Sequence, residues 1–465
     1  FFMAVGVSIG FTSVLSAVNY FSMTLFHDRR EFLLLCCAVY LPSLPVVVFQ
    51  LKYERVFDRK VGSRRAYAIK AAIYYIAMGL IMIYIPLGPG SRQVTQEPIW
   101  HRQPPLLLAA TLLGFISASS YGSWFQLVSF LPSENGACTA IFSMGYQGAG
   151  IIAAFLAISI GFRTNPSQSQ VNLFFMSAAA LEFFAGACYF IMASYSTVFK
   201  RALTDRDREA SIYLSARKSS SSRFKMTPPA ATESTWLLSL KSEEKCTLSP
   251  SQHKTEEEKQ PMIDCNQPKT QQKTQDLGDL ENKNHPPPSV SSSSESKEDW
   301  ELFWVVFPCV ASIFINIFAS VFLLPFYTFF PSKYMKLPQV LFFTKLFADT
   351  LGRPLTLLVP VKNQNVILGA SVVRVCFLGV FMAEILGFLE WNNTTIITMV
   401  ALFSTASGLI GTSAYQLAPS LVTGSFRKTQ VASMLNLGFH LAVTFALLSS
   451  AAVAPLLMPY IEDEN

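Results

Sequence analysis

Long apolar stretches alternate with short polar segments along the chain, and this alternation gives the first indication of the fold. Each stretch approaches the roughly 20 apolar residues that an α-helix needs to cross a bilayer. The stretches cover approximately residues 1–26, 32–51, 66–87, 105–131, 137–162, 171–199, 302–330, 338–361, 365–389, 395–422 and 431–460. The pattern therefore predicts an all-α polytopic membrane protein with 11 transmembrane helices.

Residues 200–300 interrupt this pattern with a polar segment that is rich in Ser, Lys, Glu, Gln and Pro. The segment includes the runs TEEEKQ, HPPP and SVSSSSES, and such a composition cannot bury enough apolar surface to fold. We therefore expect a six-helix lobe at 1–199, a disordered linker at 200–300 and a five-helix lobe at 301–465. Two such lobes are expected to enclose a site near the membrane midplane.

The composition agrees with a membrane protein and argues against several other classes. Charged residues make up 14% of the chain, against about 25% in soluble proteins. The net charge of +6 does not indicate nucleic-acid binding, because the basic residues gather in the loops, where they set topology. The cysteines form no C-x-x-C pair and no Cys/His cluster, so we expect no disulfide framework, metal or cofactor. No phosphate-binding glycine loop appears, so we do not expect an ATP-driven pump. We also do not expect an enzyme.

The lysines and arginines predict the orientation of the helices, because cytoplasmic loops carry an excess of them. A cytoplasmic N-terminus puts the basic loop KYERVFDRKVGSRR and the start of the linker on the cytoplasmic side. The opposite side then receives the acidic C-terminal tail and two overlapping glycosylation sequons at Asn392 and Asn393. We expect an extracellular or lumenal C-terminus, in the plasma membrane or in an endomembrane. Phe1 already lies inside an apolar stretch, so we also expect residues to precede it in the native chain.

The eighth stretch carries three charged side chains in the sequence FFTKLFADTLGRPLTLL. Lys345, Asp349 and Arg353 are spaced four residues apart, so a helix places them on one face. A carboxylate in hydrocarbon is costly, so Asp349 and Arg353 should neutralise each other or face a wet cavity. Gly352 allows a neighbouring backbone to approach closely, and Pro354 is expected to bend the helix. The alternative is a buried ion pair that only fixes helix packing.

Further candidates for a polar site lie in the first and fourth stretches. Asn19 lies in mid-helix and needs a hydrogen-bond partner there. Tyr121, Trp124 and Gln126 add aromatic faces and hydrogen-bonding groups to the fourth stretch. The alternative for the two aromatic residues is a belt at the membrane interface. Arg374 lies one or two turns inside the ninth stretch, from where its side chain could snorkel to the surface.

These residues resemble motifs of the equilibrative nucleoside transporter family. The run from Asp349 to Arg353 resembles the D-x-x-G-R signature of that family's eighth helix, and the likeness in organisation covers nearly the whole chain. SVLSAVNYF in the first stretch is similar to the family's first helix, with Asn19 at the place of its Asn. YGSWFQLVSFLP is similar to the fourth helix, where Tyr121 replaces a base-reading Gln. Arg374 matches an arginine of the ninth helix.

The resemblance implies facilitated diffusion of nucleosides, or of nucleobases, through a fold related to the major facilitator superfamily. It implies that Asp349 and Arg353 bind the substrate, and that Tyr121 stacks on its base. Trp124, Gln126 and Asn19 would then complete the polar lining. The expected partners are the nucleoside or nucleobase and the lipid bilayer, with no nucleic acid.

Three alternatives stay open from the residues themselves. One is a proton-coupled nucleoside carrier, because intramembrane carboxylates such as Asp349 and Glu182 often relay protons. Another is a carrier of organic cations or monoamines, against which the nearby Arg353 argues. The third is a non-transporting receptor or scaffold, whose linker would bind sorting or kinase partners. The linker holds ESTWLL, which resembles an acidic dileucine sorting signal, and many serines.

Deleting the linker from about Ser219 to Ser296 should leave transport intact, because its composition does not support a folded structure. The measurement is uptake of a labelled nucleoside into liposomes that contain the purified deletion protein or the full chain. A deletion protein that is folded but inactive would show that the linker is more than a tether.

Overall fold

The α-helices lie along the chain as follows, numbered in order. They are α1 (Phe2–Ser16), α2 (Glu31–Tyr40), α3 (Ser43–Val61), α4 (Ser63–Leu87), α5 (Ile99–Phe130), α6 (Ala137–Ile160), α7 (Gln168–Tyr195), α8 (Thr197–Arg223), α9 (Ser293–Leu323), α10 (Leu337–Gly352), α11 (Leu355–Leu358), α12 (Gln364–Ile385), α13 (Asn393–Ser420) and α14 (Ser425–Glu462). A π-helix at Tyr20–Leu25 follows α1, and a 3₁₀-helix at Leu324–Thr328 follows α9.

This computed structural model describes residues 1–17, 20–26, 31–91, 99–131, 136–162, 166–223, 293–330 and 337–462. Within these ranges every regular element is a helix. Backbone contacts divide the chain into one unit, Phe1–Leu214 with Glu295–Asn465, and a second unit, Ser215–Ser294. The first unit holds α1–α7, α10–α14 and most of α8 and α9, and the second holds only the end of α8 and the start of α9.

The helices of the first unit have the length and apolarity of membrane spans. In the described part of the chain, 9 helical stretches have at least 18 residues and are apolar enough to cross a bilayer. The helices α1 and α10, with 15 and 16 residues, are shorter. The prediction of an all-helical, multi-pass membrane protein is confirmed. The count of 11 spans, the orientation of the termini and the compartment stay predictions.

Local sequence explains where several helices begin and end. Ser167 and Gln170 form a capping box, in which each side chain accepts a hydrogen bond from the other residue's backbone N–H. Asn392 is the N-cap of α13, because its Oδ1 accepts from the Thr395 backbone N–H at 2.8 Å. Asn392 is exposed, and its glycosylation stays a prediction. The Arg353–Pro354 step separates α10 from α11, which confirms the predicted bend in the eighth stretch.

The helix α8 occupies the first part of the predicted disordered linker. It forms because one of its faces docks on α3 and α4 through the buried Arg206, which composition alone cannot reveal. Arg206 donates to Asp58 Oδ2 at 3.1 Å and to the Tyr67 hydroxyl at 3.2 Å. The division into two lobes and a linker stays a prediction, and residues 224–292 lie outside the described part of the chain.

A buried charge network lies next to this docking contact. The Lys70 ammonium pairs with Glu54 at 2.5 Å and with Asp58 at 2.8 Å. Gln126 donates to Glu54 at 3.0 Å and also to Ser433 on α14 at 3.1 Å. Two cations and two carboxylates balance here, counting Arg206, so the network is close to neutral. The network therefore connects α3, α4, α5 and α8 with α14, and its charges cancel.

The first unit has an N-terminal half, α1–α7, and a C-terminal half, α9–α14, and the two halves share one apolar core. A single cluster of buried side chains joins Phe11 and Leu15 of α1 to Leu324, Phe342 and Leu346 of the C-terminal half. The polar residues described next lie along this shared boundary.

Candidate functional site

A cavity of about 80 Å³ lies between the N-terminal half and the C-terminal half. Both halves contribute polar, charged and aromatic side chains to its wall. They include Thr12, Tyr40, Tyr121, Tyr146, Gln147, Asn316, Ser320, Lys345, Asp349, Arg353, Ser407, Tyr415 and Phe439. A site whose wall is divided between two helical halves is the arrangement expected of a midplane binding site.

Two larger cavities, each of about 520 Å³, lie elsewhere. One lies beside α8, where charged side chains such as Arg201 and Lys428 are exposed or half-buried. The other is lined mostly by apolar residues of α6, α10 and α13. Neither wall carries a buried charged side chain, so the smaller cavity is the better candidate for a specific site.

The helix α10 and the residue that follows it bring three charged side chains to this cavity. Lys345, Asp349 and Arg353 all line the wall, as their spacing of four residues predicts. Arg353 Nη2 donates to Asp349 Oδ2 at 3.2 Å, so the two charges are paired. Asp349 Oδ1 and Arg353 Nε are buried and have no hydrogen-bond partner among the described residues. The pair therefore keeps one free acceptor and one free donor.

Glycines on two facing helices hold this pair in place. A Cβ atom on Gly408 of α13 would lie 2.1 Å from the carbonyl oxygen of Asp349. A Cβ atom on Gly352 would lie 2.1 Å from the carbonyl oxygen of Thr405. Only a residue without a side chain leaves room for such backbone contact. The predicted close approach at Gly352 is confirmed, and it fixes the part of α10 that carries Asp349.

Arg374 lies in the core beside the cavity, so the expectation that it snorkels to the surface is wrong. It is only 3% exposed and donates to the backbone and side-chain oxygens of Asn316, both at 2.6 Å. It also donates to Ser320 at 2.7 Å and to the Phe403 carbonyl at 3.0 Å, with its guanidinium over the Phe403 ring. These acceptors satisfy the cation inside the protein, so it need not reach water. Arg374 thereby orients Asn316 and Ser320 in the cavity wall.

An aromatic wall faces the charged helix. The ring of Tyr121 lies 4.6 Å from Tyr146 and 5.6 Å from Phe439, measured between centroids. Tyr415 lines the same cavity. Tyr121 is 3% exposed, so it is a buried cavity residue and not part of an interfacial belt. This side of the cavity wall is therefore aromatic.

The structure places the other predicted site residues away from this cavity or outside its described part. Trp124 is fully buried among the rings of Tyr67, Tyr75 and Tyr189. Gln126 joins the charge network described above. A helix turns about 100° per residue, so these two side chains point about 60° and 140° away from Tyr121. Asn19 lies outside the described residues.

Several wall residues were not predicted as site residues. Asn316, Ser320 and Ser407 form a hydrogen-bonded group, in which Asn316 Nδ2 donates to the Ser407 carbonyl at 3.1 Å. In the sequence they stand out only as polar residues within apolar stretches. The side chains of many such residues form hydrogen bonds only with the backbone of their own helix. Gln147 has the same weak signal. Their position at the cavity follows from the packing of α9 against α13.

Comparison with known proteins identifies the fold. No protein-family model and no curated protein matches the sequence. The structure is similar to that of the proton:xylose symporter XylE of the major facilitator superfamily, bound to 6-bromo-6-deoxy-D-glucose. The TM-score is 0.56 at 11% identity, over 96% of this chain and 86% of that chain. The E. coli fucose:proton symporter FucP gives a TM-score of 0.42 at 11% identity, over 100% of this chain and 98% of that chain. The likeness to XylE confirms the predicted major-facilitator-like fold.

Replacing Gly408 by Ala should destabilise the protein, because the new methyl group would overlap the Asp349 carbonyl oxygen. Overpacking of this kind typically costs about 1–3 kcal/mol. The measurement is the unfolding temperature of the detergent-purified protein. The matched control is Gly379→Ala on α12, where a Cβ atom would meet nothing within 4 Å. Equal unfolding temperatures for the two variants would contradict the close approach of α10 and α13.

Proposed function

We propose that this protein is a membrane carrier that moves nucleosides, or nucleobases, by facilitated diffusion through alternating access. The observation that carries the proposal is the cavity between the two halves. Its wall sets the Asp349–Arg353 pair opposite buried aromatic rings. The D-x-x-G-R sequence of that pair, and the resemblance to equilibrative nucleoside transporters that it carries, support the same substrate class.

The chemistry of the wall suits a nucleoside, which is a flat aromatic base joined to a ribose. The rings of Tyr121, Tyr146 and Phe439 can stack on a base of any identity. Arg353 has a free Nε–H that can donate to an oxygen of the sugar or base, and Asp349 has a free Oδ1 that can accept from a ribose hydroxyl. The unused hydrogen-bonding capacity of the pair therefore matches the groups that a nucleoside offers.

The division of the cavity wall supports alternating access. Both halves line the cavity, so rocking one half against the other would open it to either side of the membrane. Contacts such as Gln126 with Ser433, at 3.1 Å, would break on one side when the halves part there. The major-facilitator fold is compatible with such a motion.

A proton-coupled carrier is the second candidate, and Glu182 on α7 favours it. This carboxyl is 0% exposed and forms no ion pair with another described residue. Buried intramembrane carboxylates are often proton relays. The monoamine alternative is weaker, because two cations and a single carboxylate of α10 line the cavity.

The function is tested by uptake of labelled adenosine, uridine and hypoxanthine into liposomes that contain the purified protein, with and without a pH gradient. The proposal expects saturable uptake that stops at equal concentrations inside and outside. Accumulation that requires the gradient would favour the proton-coupled carrier. Absence of uptake for all three compounds would refute the proposal.

Replacing Arg353 by Ala should abolish nearly all nucleoside uptake. The change removes the partner of the buried Asp349, and breaking such a pair typically costs about 3–5 kcal/mol. The measurement is uptake into liposomes, normalised to the amount of folded protein. The control is Arg427→Ala, because Arg427 is exposed at the start of α14. Normal uptake by the Arg353 variant would exclude α10 from the substrate site.

Tyr121 should make the carrier tolerant of different bases. A phenol reads base edges less strictly than a glutamine amide, and base–aromatic stacking contributes roughly 1–3 kcal/mol for any base. We expect Tyr121→Phe to keep most uptake, and Tyr121→Gln to increase discrimination between purine and pyrimidine nucleosides. The measurement is competition of unlabelled nucleosides against labelled adenosine. Loss of uptake in Tyr121→Phe, with unchanged selectivity in Tyr121→Gln, would assign the hydroxyl a structural role.

A further inference from the structure

The charges that line the cavity do not balance. Lys345 and Arg353 contribute two cations, and Asp349 is the one acidic side chain among the described residues of the wall. Asp349 forms its ion pair with Arg353, at 3.2 Å. None of the ion pairs between described residues includes Lys345, which is half-buried at the cavity. The wall therefore carries one cation more than its own carboxylate neutralises.

The surroundings of the cavity add to this excess. Arg374 lies directly behind Asn316 and Ser320, and its hydrogen-bond acceptors are carbonyl, amide and hydroxyl oxygens, which are uncharged. Two buried carboxyls of the membrane helices do not help, because Glu182 and Glu384 do not line the cavity. The charge network near α8 is neutral by itself. No described acidic side chain is therefore placed to neutralise Lys345 besides the shared Asp349.

An excess cation within a membrane protein is costly unless it has a partner, and such residues usually mark a substrate or ion pathway. Resting on the proposed nucleoside carrier, we infer that the preferred substrate is a planar organic monoanion, a nucleoside or nucleobase whose ring is ionised. Such a molecule supplies the missing negative charge at Lys345 and Arg353. Its ring lies against Tyr121, Tyr146 and Phe439, which line the same cavity.

The geometry of the donors fits an ionised ring. Arg353 has a free Nε–H, and Lys345 lies about two helical turns before it on the same face. A delocalised ring anion offers oxygen and nitrogen acceptors on more than one edge, so two long cationic side chains that approach it from different positions can each meet one of them. Asp349 keeps Oδ1 free to accept from a ribose hydroxyl, so the sugar and the anionic ring would use different parts of the site.

Xanthosine and inosine provide a matched pair of probes. Both are purine nucleosides of similar shape, but the base of xanthosine is ionised at neutral pH and that of inosine is neutral. In liposomes with the full chain, xanthosine should compete about tenfold more effectively than inosine against labelled uridine, because hydrogen bonds to charged groups are stronger. The ratio of the two inhibition constants is the readout, and it does not depend on the amount of active protein.

Variants of Lys345 test whether its charge causes the preference for xanthosine. The preference for xanthosine over inosine, as the ratio of the two inhibition constants, should fall to about one in Lys345→Met and Lys345→Gln. It should be retained in Lys345→Arg. The control is Lys362→Met, an exposed lysine between α11 and α12, which should keep the ratio of the unaltered protein. The Gln variant provides the same test if the Met variant does not fold.

Each outcome separates this inference from the function on which it rests. Equal competition by xanthosine and inosine in the unaltered protein would overturn the inference, while uridine uptake would still support a nucleoside carrier. A tenfold ratio that persists in both neutral Lys345 variants would overturn the assignment to Lys345. Absence of uptake for every nucleoside would overturn the proposed function itself.

Discussion

The contact between α10 and α13 determines the geometry of the candidate site. Within a bilayer, apolar side chains gain little by leaving lipid for protein, so close packing and polar contacts hold helices together. Gly352 and Gly408 allow the two backbones to touch, and Asp349 lies in this contact. The contact fixes Asp349, whose pair with Arg353 keeps one buried donor and one buried acceptor without a partner among the described residues.

The charged residues of the membrane helices fall into two kinds. Arg374 is surrounded by four acceptor oxygens and an aromatic face, so it is fully satisfied by the protein. Asp349 and Arg353 each keep a buried polar atom without a partner among the described residues, and Lys345 beside them forms no ion pair there. Since a buried charge without enough partners is costly, the second kind supports the proposal that the cavity binds the substrate.

The buried network near α8 adds a constraint on any motion of the two halves. Lys70, Glu54 and Asp58 stabilise one another inside the N-terminal half, and α8 joins them through Arg206. The hydrogen bond from Gln126 to Ser433 extends the network to the other half. It joins two uncharged side chains, so breaking it would leave the ion pairs of the network intact.

The sequence by itself determined the helices, the membrane environment and the shared face of Lys345, Asp349 and Arg353. These follow from apolar run length and helical periodicity, which are local properties, and Gly352 likewise indicated close packing. The tertiary structure alone decided the rest of the site. In the folded protein, Trp124 and Gln126 point away from the cavity. Arg374 is buried among acceptors of other helices, and α8 packs on the N-terminal half. Each depends on which helices become neighbours, and no pattern within a single helix specifies that.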